Sequence, residues 1–140
     1  MPAARNICFL ASDAPIAAEA QARLAARFGH YPPEEADVIV ALGGDGFMLS
    51  TLHGTQEIEA PVYGMNRGTV GFLMNEYSED GLIDRLEAAE EAVINPLHMI
   101  ATQRDGTVTE ALAINEVSLL RAGPQAAQLR IFVDGRMRMA

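Results

Sequence analysis

An apolar run, Val38 to Leu42, leads without a break into Gly43-Gly44-Asp45-Gly46, and a short helix from Phe47 to His53 is expected to follow until Gly54 ends it. Short, apolar and free of polar alternation, the run reads as a buried strand. The glycines then let the backbone turn tightly and let a ligand approach it closely. The helix start offers unpaired amides and a partial positive charge, which suits a phosphate. Asp45 is the odd member, because a carboxylate repels phosphate unless it takes a proton or binds a metal. A phosphoryl-acceptor site needs that combination: one group draws the proton from a hydroxyl while neighbouring amides hold phosphates. An ordinary glycine turn with a capping aspartate fits the same string, and spacing alone divides evenly between the two.

Several other chemistries are excluded. The dinucleotide fingerprint requires Gly-x-Gly-x-x-Gly, and Asp45 occupies the place of its second glycine; Gly64, Gly68 and Gly71 also miss the spacing. All 10 basic residues are arginine, so a lysine-dependent phosphate loop and Schiff-base catalysis are both out. The chain carries 19 acidic residues and a net charge of −9, a poor basis for general nucleic-acid binding. No apolar run approaches the roughly 18 residues of a membrane span. Ile7 to Ala11 is too brief for a signal-peptide core, which argues against export. A single cysteine, Cys8, rules out an internal disulfide framework and fits a reducing cytoplasm.

Along the chain, Asn6 to Ala11 reads as a first strand. Ser12 or Asp13 is expected to cap a helix with Pro15 in its first turn, and Ile16, Ala20, Leu24 and Phe28 are expected to form its inward face. Gly29 and Pro32-Pro33 stop it. Pro61 to Met65 is a third strand, and a helix from about Glu79 to Val93 should turn Leu82, Ile83, Leu86 and Ala89 inward. This strand–helix alternation predicts a parallel α/β sheet. Near Pro96 the pattern changes. Leu97 to Arg104 and Val108 to Ala113 form a hairpin around Asp105-Gly106, Glu116 to Arg121 a further strand, and Gln128 onward a second hairpin around Asp134-Gly135. The expected division is an α/β domain over 1–95 and the beginning of a β-rich domain over 96–140. About 45 residues are short for an independent two-layer β domain, so a fragment is expected.

The remaining candidates are bland. His30, His53 and His98 lack metal-ligand spacing, and no metal site is expected. Cys8 reads as a small core hydrophobe, and the methionines (Met48, Met65, Met74, Met99, Met137 and Met139) as core filler. The acids from Glu76 to Glu91 lack the glycine of a calcium loop and read as a solvated face. Arg121, Arg130, Arg136 and Arg138 are explained equally by phosphate contact and by outward-facing strand positions. Asn66 and Arg67 are balanced between ligand-phosphate contact and turn chemistry.

Gly43-Gly44-Asp45-Gly46 after an apolar strand resembles the shared motif of a kinase superfamily that holds NAD kinases, phosphofructokinases and diacylglycerol-type lipid kinases. The segment Gly64-Met65-Asn66-Arg67-Gly68-Thr69-Val70-Gly71-Phe72-Leu73 resembles the second motif of NAD kinases, and Ala113-Ile114-Asn115-Glu116-Val117 the third. The resemblance runs from about residue 6 to the end. It implies an α/β N-terminal domain with a parallel sheet followed by a β-rich C-terminal domain, and transfer of phosphate from ATP, with Mg²⁺, to the adenosine ribose 2′-hydroxyl of NAD. It further implies Asp45 as the catalytic base, Gly43, Gly44 and Gly46 as the phosphate-binding turn, Phe72 against the adenine, and Asn115 and Glu116 as the pair that hydrogen-bonds NAD. A cytoplasmic homo-oligomer is expected, with no membrane or nucleic-acid partner. The family carries a further motif with a Gly-Ser-Thr-Ala-Tyr core, absent here, so the 140 residues are expected to be inactive or poorly folded alone. A lipid or sugar kinase of the same superfamily and a non-catalytic nucleotide-binding fragment are the alternatives.

Overall fold

The structure is a computed structural model and describes residues 6–140. Three short apolar runs form a parallel sheet in the order β1-β2-β3, with β1 at Ile7–Ala11, β2 at Val38–Gly43 and β3 at Val62–Asn66. Ala11 lies beside Leu42, and Gly43 beside Asn66. The central strand, β2, is hydrogen-bonded on both sides and all of its residues are buried. Burial of both faces of the strand is why it reads as unbroken apolar sequence rather than as an alternation. The outer edge of β1 is met by side chains: the Phe9 N–H donates to His30 Nδ1 at 3.3 Å, and Gln21 Nε2 donates to the Phe9 carbonyl at 2.6 Å.

Helix α1, Pro15–Phe28, packs on β1 and β2. Its start differs from expectation: the N-cap is Ala14, with no side-chain cap from Ser12 or Asp13, and Pro15 alone marks the entry. Its inward stripe differs too. Ala17, Ala20 and Leu24 are buried and Phe28 is partly so, whereas Ile16 is 50% exposed. At about 100° per residue, Ile16 lies roughly 85° from the centre of that stripe, so a strict four-residue row drifts off the face. Ala17, Ala20 and Leu24 join Ile7, Phe9, Val38, Val40, Leu42 and Met65 in one core cluster. The alternate residues Cys8, Ile39 and Ala41 face the other side of the sheet and are equally buried.

Helix α2, Asp45–Gly54, packs on β2 and β3. Helix α3 covers only Leu82–Ala88, shorter than the expected span. Gly81, at φ +64, blocks an earlier start, and Ala89 leaves the helix. The acids at Glu90 and Glu91 would have opposed the dipole at an extended C-terminus. Leu82 and Leu86 are buried as expected. Part of the acidic run is not a free solvated face: Glu79 meets Arg23 of α1 at 2.7 Å and Asp80 meets Arg27 at 2.9 Å, tying the segment before α3 to α1.

Beyond residue 96 the chain forms two antiparallel hairpins, β4 (Leu97–Thr102) with β5 (Val108–Ala113) and β6 (Ile131–Val133) with β7 (Arg136–Met139). The Asp134-Gly135 turn has positive φ at both residues, the geometry that suits strand twist. The first turn is wider. Gly106 N–H closes onto the Gln103 carbonyl at 3.0 Å, and of Asp105 and Gly106 only the glycine has positive φ. The strand expected over Glu116 to Arg121 does not form. Val117, Leu119 and Leu120 are exposed there, and a strand without a bonded neighbour has nothing to hold it. Met137 and Met139 are exposed rather than core filler, while Met65 is fully buried. No helix among the described residues is long and apolar enough to cross a membrane.

Candidate active site

Asp45 opens α2 directly at the carboxyl end of β2. Gly44 is the N-cap, in extended conformation, and no side chain caps the helix. The capping-aspartate reading is thereby overturned: the Asp45 carboxylate bonds outside its own helix. Its Oδ2 accepts the Phe72 N–H at 2.8 Å and its Oδ1 accepts the Leu73 N–H at 2.9 Å. At this helix start the first amides have no intrahelical partner and remain available to an anion.

The loop that follows β3 folds over this junction. Arg67 N–H donates to the Gly43 carbonyl at 2.8 Å, extending the β2–β3 ladder into the turn. A Cβ at Gly68 would stand 3.2 Å from the Gly44 nitrogen, and one at Gly43 would stand 2.9 Å from the Phe47 side chain. Glycine at these positions therefore serves close approach, not positive φ. The base of the loop is pinned by Asn75, whose carbonyl accepts from Asn66 N–H at 2.8 Å and whose N–H donates to the Gly64 carbonyl at 2.9 Å. Gly46, by contrast, is exposed and open on its Cβ side.

The other candidate residues divide. Asn66 is engaged in turn chemistry: its Oδ1 accepts the Gly68 N–H at 2.9 Å and its Nδ2 reaches the Thr69 carbonyl at 3.4 Å. Arg67 lays its guanidinium 3.2 Å over the Tyr77 ring. The Tyr77 hydroxyl in turn donates to Glu79 at 2.7 Å, so Arg67 is linked through Tyr77 to the Glu79–Arg23 pair. Nothing in the spacing of Arg67 and Tyr77 announces that stack. The Phe72 ring stands fully exposed beside the clamped carboxylate, an open flat face.

Asn115 and Glu116 lie just past β5, exposed and bonded to each other through Asn115 Nδ2 and Glu116 Oε2. They line a shallow cleft of about 340 Å³ with Leu49, Ser50 and His53 of α2. Helix α2 is thus common to both sets. Asp45 stands at its first residue and the cleft begins four residues later, roughly 6 Å along the axis. His53, bonded to Gln56 at 3.1 Å, is a wall of this cleft that spacing did not reveal.

Among the described residues, no group of three or more His, Cys, Asp or Glu side chains converges as a metal site. Cys8 is buried, and burial followed by the nearby Glu34 charge pushes its thiol up from its ordinary value, as befits a core residue.

The ATP-NAD kinase N-terminal domain model matches residues 9–91, a span that holds Asp45 and the whole loop from Asn66 to Leu73. Among curated relatives, an NAD kinase of Cereibacter sphaeroides is 64% identical over 135 residues, covering 96% of this chain and 53% of the relative. An NAD kinase of Caulobacter vibrioides is 60% identical over 138 residues, covering 99% of this chain and 53% of the relative. One from Xylella fastidiosa is 52% identical over 139 residues, with the same two coverages. The chain spans about half the length of the curated relatives it matches.

Proposed function

Because the chain belongs to the NAD kinase family, we propose that the whole protein transfers the γ-phosphoryl group of ATP to the adenosine ribose 2′-hydroxyl of NAD, giving NADP and ADP. The observation that carries this reading is the Asp45 carboxylate, standing where β2 meets α2 with a glycine turn on one side and the 66–73 loop on the other. Asp45 accepts the proton of the 2′-hydroxyl as that oxygen forms its bond to phosphorus and the bond to the departing ADP breaks. Amides at the start of α2, spaced by Gly43, Gly44 and Gly46, stabilise phosphate charge without a lysine. Mg²⁺ enters on the triphosphate, as part of the nucleotide substrate.

In this reading Phe72 stacks on the adenine, and Asn115 and Glu116 hydrogen-bond NAD from the cleft beside α2. Asn66 and Arg67 shape the loop, and Arg67, stacked on Tyr77 by its face, keeps the in-plane N–H groups of its guanidinium for a ligand. Residues 1–95 form the phosphate-handling domain and 96–140 begin the NAD-binding one. The protein works in the cytoplasm as a homo-oligomer, which sedimentation at several concentrations tests.

The decisive substitution is Asp45→Asn in the whole protein. Turnover is expected to fall by roughly 10²–10⁴-fold, the usual contribution of a positioned base. The KM for NAD should change little, because the loss is confined to the transition state. Near-native NADP formation would remove Asp45 from the chemistry. Fructose 6-phosphate and lipid vesicles, assayed beside NAD as acceptors, separate this reading from the sugar- and lipid-kinase alternatives.

A further inference from the structure

A short acidic side chain rarely has both oxygens committed to one remote stretch of backbone. Asp45 does: the consecutive amides of Phe72 and Leu73, at 2.8 and 2.9 Å, take one oxygen each. Two such bonds to an ionised group are strong and directional, and they leave the side chain a single orientation. Each carboxylate oxygen keeps a further lone pair, so the group is held and can still accept a proton.

The clamp depends on a gap immediately before it. A Cβ at Gly71 would land on the Asp45 carboxylate itself, meeting its carbon and both oxygens. Gly71 is not among the glycines with positive φ, so an alanine could adopt its backbone angles; what it could not do is share that space. The contributions of Phe72 and Leu73 come from the main chain, since the Phe72 ring is fully exposed and Leu73 is nearly half exposed. The loop is held against the junction elsewhere, by Gly68 on Gly44 and by Asn75 at its base, so the amides arrive already placed.

We infer that Gly71 is a positioning residue for phosphoryl transfer: by carrying no side chain it lets the Phe72 and Leu73 amides aim the Asp45 carboxylate at the acceptor hydroxyl. The inference rests on Asp45 being the base. A misaimed base loses rate without losing substrate, because the acceptor is bound by other groups.

The test is a double-substitution cycle in the whole protein, read as NADP formation. Gly71→Ala is expected to lower kcat by about 100-fold, the scale of a 1 Å misplacement, with the KM for NAD little changed. In the Asp45→Asn background the same substitution should change kcat by less than about twofold, because there is no base left to misaim. A loss of equal size in both backgrounds means a merely structural glycine and overturns the inference, as does a Gly71→Ala kcat within about twofold of the parent. Should Gly71→Ala fail to fold, an ester in place of the Phe72–Leu73 peptide bond removes the Leu73 N–H and adds no side chain. Its kcat is expected to fall about tenfold, the worth of one hydrogen bond to a charged group, and an unchanged kcat overturns the inference as well. Full activity in Asp45→Asn alone would defeat the base assignment itself, a result distinct from any that defeats only the role of Gly71.

Discussion

The strands of the parallel sheet and the strands of the two hairpins draw on the same residue types, with opposite fates. Ile7, Phe9, Val38, Val40 and Leu42 are at most 1% exposed. Leu97, Ile100, Val108 and Phe132 are each more than half exposed. The difference is not in β propensity or in turn chemistry, both of which succeeded in the hairpins. It lies in layering. The sheet has α1 and α3 in its core cluster and α2 against β2 and β3, whereas each hairpin among the described residues is a single layer that contributes no residue to that cluster. Pairing satisfies backbone groups, but only a second layer removes apolar surface from water. The catalytic candidate sits on the layered side, where a carboxylate can be aimed; Asn115 and Glu116 sit at the margin of the other.

Two phenylalanines put this comparison at risk most directly. Phe9→Ala in the buried sheet is expected to destabilise the chain by about 3–5 kcal/mol, measured by urea unfolding. Phe132→Ala, at a position 58% exposed, is expected to cost within about 0.5 kcal/mol. Comparable losses at the two sites would show that the hairpin is covered in solution and that the contrast between regions is false.

Cys8 offers a smaller, label-based test on the buried side. As the sole cysteine, fully buried in β1, it should react with iodoacetamide about 1,000-fold more slowly in the folded chain than in urea. Its thiol is raised above an ordinary value of 9.0, chiefly by burial. The associated stability is fully present below that value and is lost as pH climbs from it through the higher value of the folded state, because the unfolded chain ionises first. Rapid native labelling near neutral pH would mean that β1 opens readily.

The smallest effect concerns the tie between α1 and the segment before α3. The Tyr77 hydroxyl, and then Arg23, hold the Glu79 carboxyl below its ordinary 4.5. A depressed carboxyl contributes stability above its unfolded value and loses it as pH falls through the folded one. Glu79→Gln should therefore lower the melting temperature slightly near neutrality and flatten the acid limb of its pH profile, so that variant and parent converge in acid. An unchanged acid limb would mean that the tie holds nothing in solution.

Much of this architecture was legible from residues alone. The three apolar runs, the Asp-Gly turns and the glycine-rich junction after β2 are short-range signals, and each became the element it announced. Short-range signals fall short at several positions whose deciding partner is remote. Ile16 was expected to face inward from a four-residue row, yet the sheet took the face centred on Ala17, Ala20 and Leu24. Val117, Leu119 and Leu120 have strand character and no neighbouring strand to express it. Asp45 fits a helix cap by position, but its carboxylate answers amides 27 and 28 residues further along.

Local sequence determined the three strands of the parallel sheet, the turns and the functional groups at their junctions, because propensity, glycine freedom and apolar runs act over a few residues. The aim of those groups was decided only by the folded chain. The orientation of Asp45, the stacking of Arg67 on Tyr77 and the emptiness required at Gly71 all depend on loop 66–73 lying across the end of β2. A carboxylate acquires a direction only when donors distant in sequence are brought within bonding distance and held there.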